Sequence, residues 1–153
     1  MQTIASFTVD HNLLNPGIYI SRIDGDITTY DIRIFKPNCN KYLHPKVSHT
    51  LEHLLATILR NDKIIGKKII YVGPMGCLTG MYLLVRNSVH LEVISKLQEA
   101  FKIISTWDKT IPGYSKKECG NYKFHNLKKT KKVSLLYLEV IKNTTPSDLY
   151  YKK

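Results

Sequence analysis

The sequence has no apolar run near the roughly 20 residues that a membrane span requires. Its first ten residues, Met-Gln-Thr-Ile-Ala-Ser-Phe-Thr-Val-Asp, lack the basic-then-apolar order of an export signal, so a cytoplasmic location is expected. Cysteine is scarce. Cys39, Cys77 and Cys119 are an odd set in a chain without that signal, which argues against a disulfide framework and leaves metal binding or catalysis as the use for the thiols. No repeat, low-complexity tract or Pro/Gly/Ser linker divides the 153 residues, so one domain with a substantial core is expected. Acids are also few, 12 against 23 Lys and Arg, for a net charge of +11. Residues 115–153 carry +7 of it, with ten Lys and only Glu118, Glu139 and Asp148 as acids. These lysines lack the interleaved aromatics of a single-strand groove and match no helix-turn-helix or zinc-finger pattern. A solvated helix face accounts for them equally well, and nucleic acid is not an expected partner.

What is present reads as a mixture of strands and helices. Gly17–Ile23 and Ile27–Phe35 are strands joined by Asp24-Gly25 turn chemistry. Asp31 and Arg33 share one face of the second strand, an arrangement that is usually a surface pair worth little. Lys67–Val72 and Cys77–Arg86 read as two more strands around a Gly73-Pro-Met-Gly76 turn. Helical spacing predicts a helix over 89–106 capped by Ser88, with Leu91, Ile94, Leu97, Phe101 and Ile104 inside. A last helix over 124–142 would bury Leu127, Val133, Leu136, Tyr137 and Val140. The tail from Thr144 is expected to be frayed or lightly docked. The expected class is α+β, a mostly antiparallel sheet of about four strands with helices packed on one face.

The chemistry concentrates in His44–Arg60. As a helix at about 100° per residue, it gathers His49, Glu52 and His53 on one arc and Leu51, Leu54, Leu55, Ile58 and Leu59 on the other. Two imidazoles one turn apart hold one divalent ion, and the carboxylate between them is placed to move protons. A third ligand must come from elsewhere, and Cys119, in a polar Gly-Asn context, is the best candidate. Two imidazoles and a thiolate leave one open position, as catalytic sites do, and suit Zn(II) or Fe(II) alike. Cys77 follows glycines that let backbone amides approach its sulfur, a setting in which a thiol can act as nucleophile or base, although taken alone the position reads first as a cysteine at a strand start. Cys39 has no such context and reads as a bystander.

His49-Thr-Leu-Glu-His53, Gly73-Pro-Met-Gly-Cys77-x-Thr-Gly80 and Glu118-Cys119-Gly-Asn121, together with Ser6-Phe-Thr-Val-Asp-His11 and Asp31-Ile-Arg33, resemble the LuxS family of S-ribosylhomocysteine lyases in order and spacing. The resemblance covers the chain and implies one metal-dependent lyase domain over residues 1–153, a homodimer with active sites at the subunit interface. It implies a metal held by His49, His53 and Cys119, Fe(II) in the cell and Zn(II) or Co(II) in preparations. Cys77 and Glu52 would carry protons, and Ser6, His11 and Arg33 would serve the substrate, Arg33 also favouring the Cys77 thiolate. The implied reaction moves a carbonyl along the ribose of S-ribosylhomocysteine until β-elimination releases homocysteine and 4,5-dihydroxy-2,3-pentanedione, precursor of autoinducer 2. It would serve the methyl cycle and quorum sensing.

The sequence departs from the family pattern at Tyr71-Val72-Gly73, where Asp-Ile-Ser is common, and at Leu78, where Gln or Arg is common. Two other classes compete. An inverse-zincin metallopeptidase would take Glu118 as third ligand but leave Cys77 and Cys119 without work. A basic binding module would explain the lysines and nothing else.

Overall fold

The computed structural model describes residues 3–4 and 7–152. Four antiparallel strands, β1 (Gly17–Asp24), β2 (Ile27–Arg33), β3 (Ile69–Pro74) and β4 (Gly80–Arg86), form one sheet in the order β1-β2-β4-β3. Helices α1 (Pro45–Arg60), α2 (His90–Ser105) and α3 (Leu127–Ile141) complete the expected α+β layout. No helix among the described residues is long and apolar enough to cross a membrane.

The core lies between one sheet face and the helices. Alternation turns Ile18, Tyr30, Ile32, Met81, Leu83 and Val85 inward, where they meet Leu51, Leu54 and Leu55 of α1 and Val93, Leu97 and Phe101 of α2. The helix that carries the site motif starts where its sequence says it should. His44 is the N-cap, its Nδ1 accepting from the amide of Lys46, and Pro45 occupies the first turn. β2 and β4 approach so closely at Gly80 that a Cβ there would stand 2.3 Å from the carbonyl oxygen of Ile32. Only glycine fits.

Several expected details change. The fourth strand begins at Gly80 rather than Cys77, because Leu78 takes a left-handed φ of 58° and its amide closes a turn onto Met75. Cys77 therefore sits on a turn, not in a ladder. Ser88 does not cap α2: Val89 is the N-cap, and the Ser88 hydroxyl donates to Thr28 while accepting from Tyr30. Leu91 is exposed and Val93 is buried in its stead. The last helix begins at Leu127, capped by Asn126, whose side chain accepts from the amide of Lys129. It buries Thr130, Ser134, Tyr137 and Ile141, leaving Leu136 and Val140 exposed. α3 packs chiefly on α2, where Tyr137 meets Phe101, while Thr130 reaches the carbonyl of Val47 on α1 and Leu135, Leu136 and Val140 face outward. The tail is docked firmly: Leu149 is fully buried, and Tyr151 reaches the second face of the sheet, where it meets Asp31.

Candidate metal centre and thiol site

α1 brings His49 and His53 one turn apart with ring centroids 4.6 Å apart. Nδ1 of His49 donates to the carbonyl of Phe124 at 2.8 Å, and Nδ1 of His53 to that of Pro112 at 2.7 Å. A carbonyl only accepts, so Nδ1 of each ring carries a hydrogen and Nε2 is the atom each can offer an ion. The loop before α3 supplies Cys119, whose Sγ lies 3.4 Å from Nε2 of His49 and accepts from the amide of Asn121.

A fourth donor stands beside them. The ring of His125 stacks on His49 at 4.1 Å. The single hydrogen of the Thr50 hydroxyl goes to the carbonyl of Lys46, so Nδ1 of His125, 3.2 Å from that hydroxyl, is the donor there. Its Nε2 is then a buried lone pair with no partner. Burial first, then the neighbouring His49 and His53, hold His125 down to about 4, so it is neutral at pH 7. Ligand atoms of His49, His53, Cys119 and His125 all lie within 4.8 Å of one another. Imidazoles with their Nδ1 atoms fixed by partners, a thiol and an orphaned buried acceptor are surroundings that suit a soft divalent ion. Glu118, the third ligand in the peptidase reading, instead accepts from Ser115 at the surface.

The second group gathers on the sheet. A cavity of about 640 Å³ is lined by His11, Arg33, Cys77, Thr79 and Tyr82 among others. Cys77 Sγ is 3.1 Å from the hydroxyl of Thr79 and 3.9 Å from Nη1 of Arg33. Partial burial pushes this thiol up, but the hydrogen bonds of Thr79 and the charge of Arg33 outweigh it and leave the thiol below its ordinary 9.0. Arg33 is not on the surface. Its side chain is 4% exposed and paired with Asp31, 1% exposed, at 2.6 Å.

The chain matches the family model S-Ribosylhomocysteinase (LuxS) over residues 4–147. The chain belongs to the LuxS family. It is similar to proteins named S-ribosylhomocysteine lyase from Phocaeicola vulgatus (46% identical, covering 99% of this chain and 98% of that one) and Borreliella afzelii (45%, 99% of each). Another relative of that name, from Desulfotalea psychrophila, is 41% identical over 99% of both chains.

Within this LuxS fold, His49, His53 and Cys119 converge as expected, and Cys77, Arg33 and His11 share one cavity. Glu52 is half-buried and makes no hydrogen bond or ion pair among the described residues. Ser6 lies outside the described residues. None of the four cluster residues lines the cavity of Cys77. Sequence reading missed His125 and Thr79. The signal for His125 was a third histidine six residues beyond Cys119, hidden by starting the last helix at 124. The family departures at positions 71 and 73 belong together: the Tyr71 ring occupies the space of a side chain at 73, its hydroxyl 2.0 Å from where a Cβ on Gly73 would stand.

Proposed function

We propose that this protein is an S-ribosylhomocysteine lyase, releasing homocysteine and 4,5-dihydroxy-2,3-pentanedione. The observation that carries the reading is a pair of sites in one chain: a histidine and cysteine cluster able to hold a soft divalent ion, and a thiol lowered by Thr79 and a buried guanidinium. Whole-length relatives bearing that name support it.

His49, His53 and Cys119 would hold the ion, Fe(II) in the cell, with Zn(II) or Co(II) able to replace it. When bound, the ion supplies Lewis acidity that makes hydrogens beside a sugar carbonyl acidic. The residues do the rest. Cys77 takes a carbon-bound proton at Sγ and returns it to the neighbouring carbon, moving the carbonyl along the ribose until the thioether lies β to it. Thr79 and Arg33 lower the thiol and so favour its thiolate. Glu52, free of partners among the described residues, moves protons between the sugar oxygens and serves the elimination, in which the C–S bond breaks and homocysteine leaves as thiolate. Each such proton carrier is worth about 10²–10⁴-fold. Ser6 and His11 orient the sugar beside Cys77. Residues 1–153 act as one lyase domain in a cytoplasmic homodimer with its sites at the interface, serving the methyl cycle and quorum sensing. That the cluster residues do not line the Cys77 cavity of the same chain supports a site shared between subunits.

The test is to incubate metal-replete, reduced protein with S-ribosylhomocysteine and titrate the released thiol. One homocysteine per substrate consumed is expected. None would overturn the reading.

A further inference from the structure

The thiol of Cys77 stands at the end of a series of contacts that begins on the C-terminal tail. Tyr151 stacks on Tyr19 with ring centroids 5.1 Å apart, and its hydroxyl donates to Oδ2 of Asp31 at 2.8 Å. That same oxygen accepts from Nη2 of Arg33 at 2.6 Å, and Oδ1 accepts from Nε at 3.1 Å. The carboxylate thus grips one edge of the guanidinium, and a fork held on two prongs has a fixed plane. The remaining corner, Nη1, donates to Thr79 at 2.6 Å and stands 3.9 Å from Cys77 Sγ.

Asp31 affects Cys77 in two opposed ways. It orients the cation that stabilises the thiolate, and its own negative charge offsets part of that cation's field. A hydroxyl donated to Oδ2 draws electron density from the carboxylate and holds it on the Nε–Nη2 edge, away from the sulfur. This favours orientation over cancellation. No other group does so: among the described residues the hydrogen bonds to Asp31 come from Arg33 and Tyr151. Tyr19 on β1, Tyr82 on β4 and Tyr137 on α3 all sense the Asp31 charge, and Tyr82 also that of Cys77. His11 and Lys41 reach the cavity from loops. Ser21 shares the Tyr151 hydroxyl.

We propose that Tyr151 is a positioning residue for the reaction, its hydroxyl clamping Asp31 so that Arg33 presents Nη1 to Cys77 and keeps that thiol reactive. The catalytic half of this rests on the reading of Cys77 as the carrier of carbon-bound protons. The half that concerns thiol reactivity does not.

Tyr151→Phe tests it, because the ring and its stack on Tyr19 are retained and only the hydroxyl is lost. Iodoacetamide labelling is followed by peptide mass spectrometry across pH 6–10, and Cys39, exposed and outside these contacts, is the internal reference. In the variant the Cys77 profile is expected to move up by about half a pH unit, slowing its labelling at pH 7 about threefold. The Cys39 profile should stay fixed, and kcat should fall by a similar factor with KM unchanged. An unmoved Cys77 profile, even with a lowered melting temperature, reduces Tyr151 to a tail anchor and overturns the proposal. A Cys77→Ala enzyme that still releases homocysteine overturns the reading beneath it and the catalytic half with it. The labelling comparison needs no substrate and decides the other half separately.

Discussion

Cys77 and Cys119 are the same residue type in different surroundings, and the surroundings divide the labour. Cys119 lies against an imidazole nitrogen whose hydrogen is held on the far side of the ring, which is a ligand's position. Cys77 lies on a turn against Thr79 and a buried arginine, which lowers the thiol without giving it an ion to bind. Cys77→Ala should therefore retain one divalent ion per chain by elemental analysis and lose at least about a hundredfold in turnover, as should Glu52→Gln. Cys119→Ala should lose the ion. The opposite pattern would exchange the two roles. The pair His49 and His53 was legible because helical spacing alone puts them on one arc. His125 was not, since its place depends on a hydroxyl 75 residues away, and nothing local marks such a contact.

At the scale of elements, alternation along β2 correctly puts Asp31 and Arg33 on one face, and it says nothing about whether water reaches that face. The expectation of a surface pair fails because Tyr151 and its neighbours cover it. A buried pair behaves differently from an exposed one: removing one partner strands the other charge in a poor solvent. Asp31→Asn is expected to cost about 3–5 kcal/mol in denaturant unfolding. A loss below about 1 kcal/mol would mean that water screens the pair after all. The last helix teaches the same lesson. Its aliphatic residues outnumber its small ones, yet the face that packs is Thr130, Ser134, Tyr137 and Ile141, because the inward row at helical spacing passes through them and not through Leu136 and Val140.

For the whole molecule, the question is where a complete site forms. If Cys77 of one chain serves the metal of the other, mixing Cys77→Ala with Cys119→Ala protein and allowing subunit exchange should restore about a quarter of wild-type activity. Half of the random dimers would be mixed, and each mixed dimer would hold one intact site. If both groups came from the same chain, the mixture would stay inactive, and the shared-site arrangement would fall.

The sequence by itself determined the hairpin, the site helix with its histidine pair, the class of fold, and the cysteine and histidine types that gather at the two sites. These depend on contacts within a few residues and on periodicity, which a linear string records. Only the tertiary structure decided that His125 completes the donor cluster and that Arg33 is buried. It alone showed that a tail read as loosely held is docked, with Tyr151 on Asp31. Those facts rest on side chains brought together from distant parts of the chain, and burial, which sets the strength of every charge among them, exists only once the layers have packed.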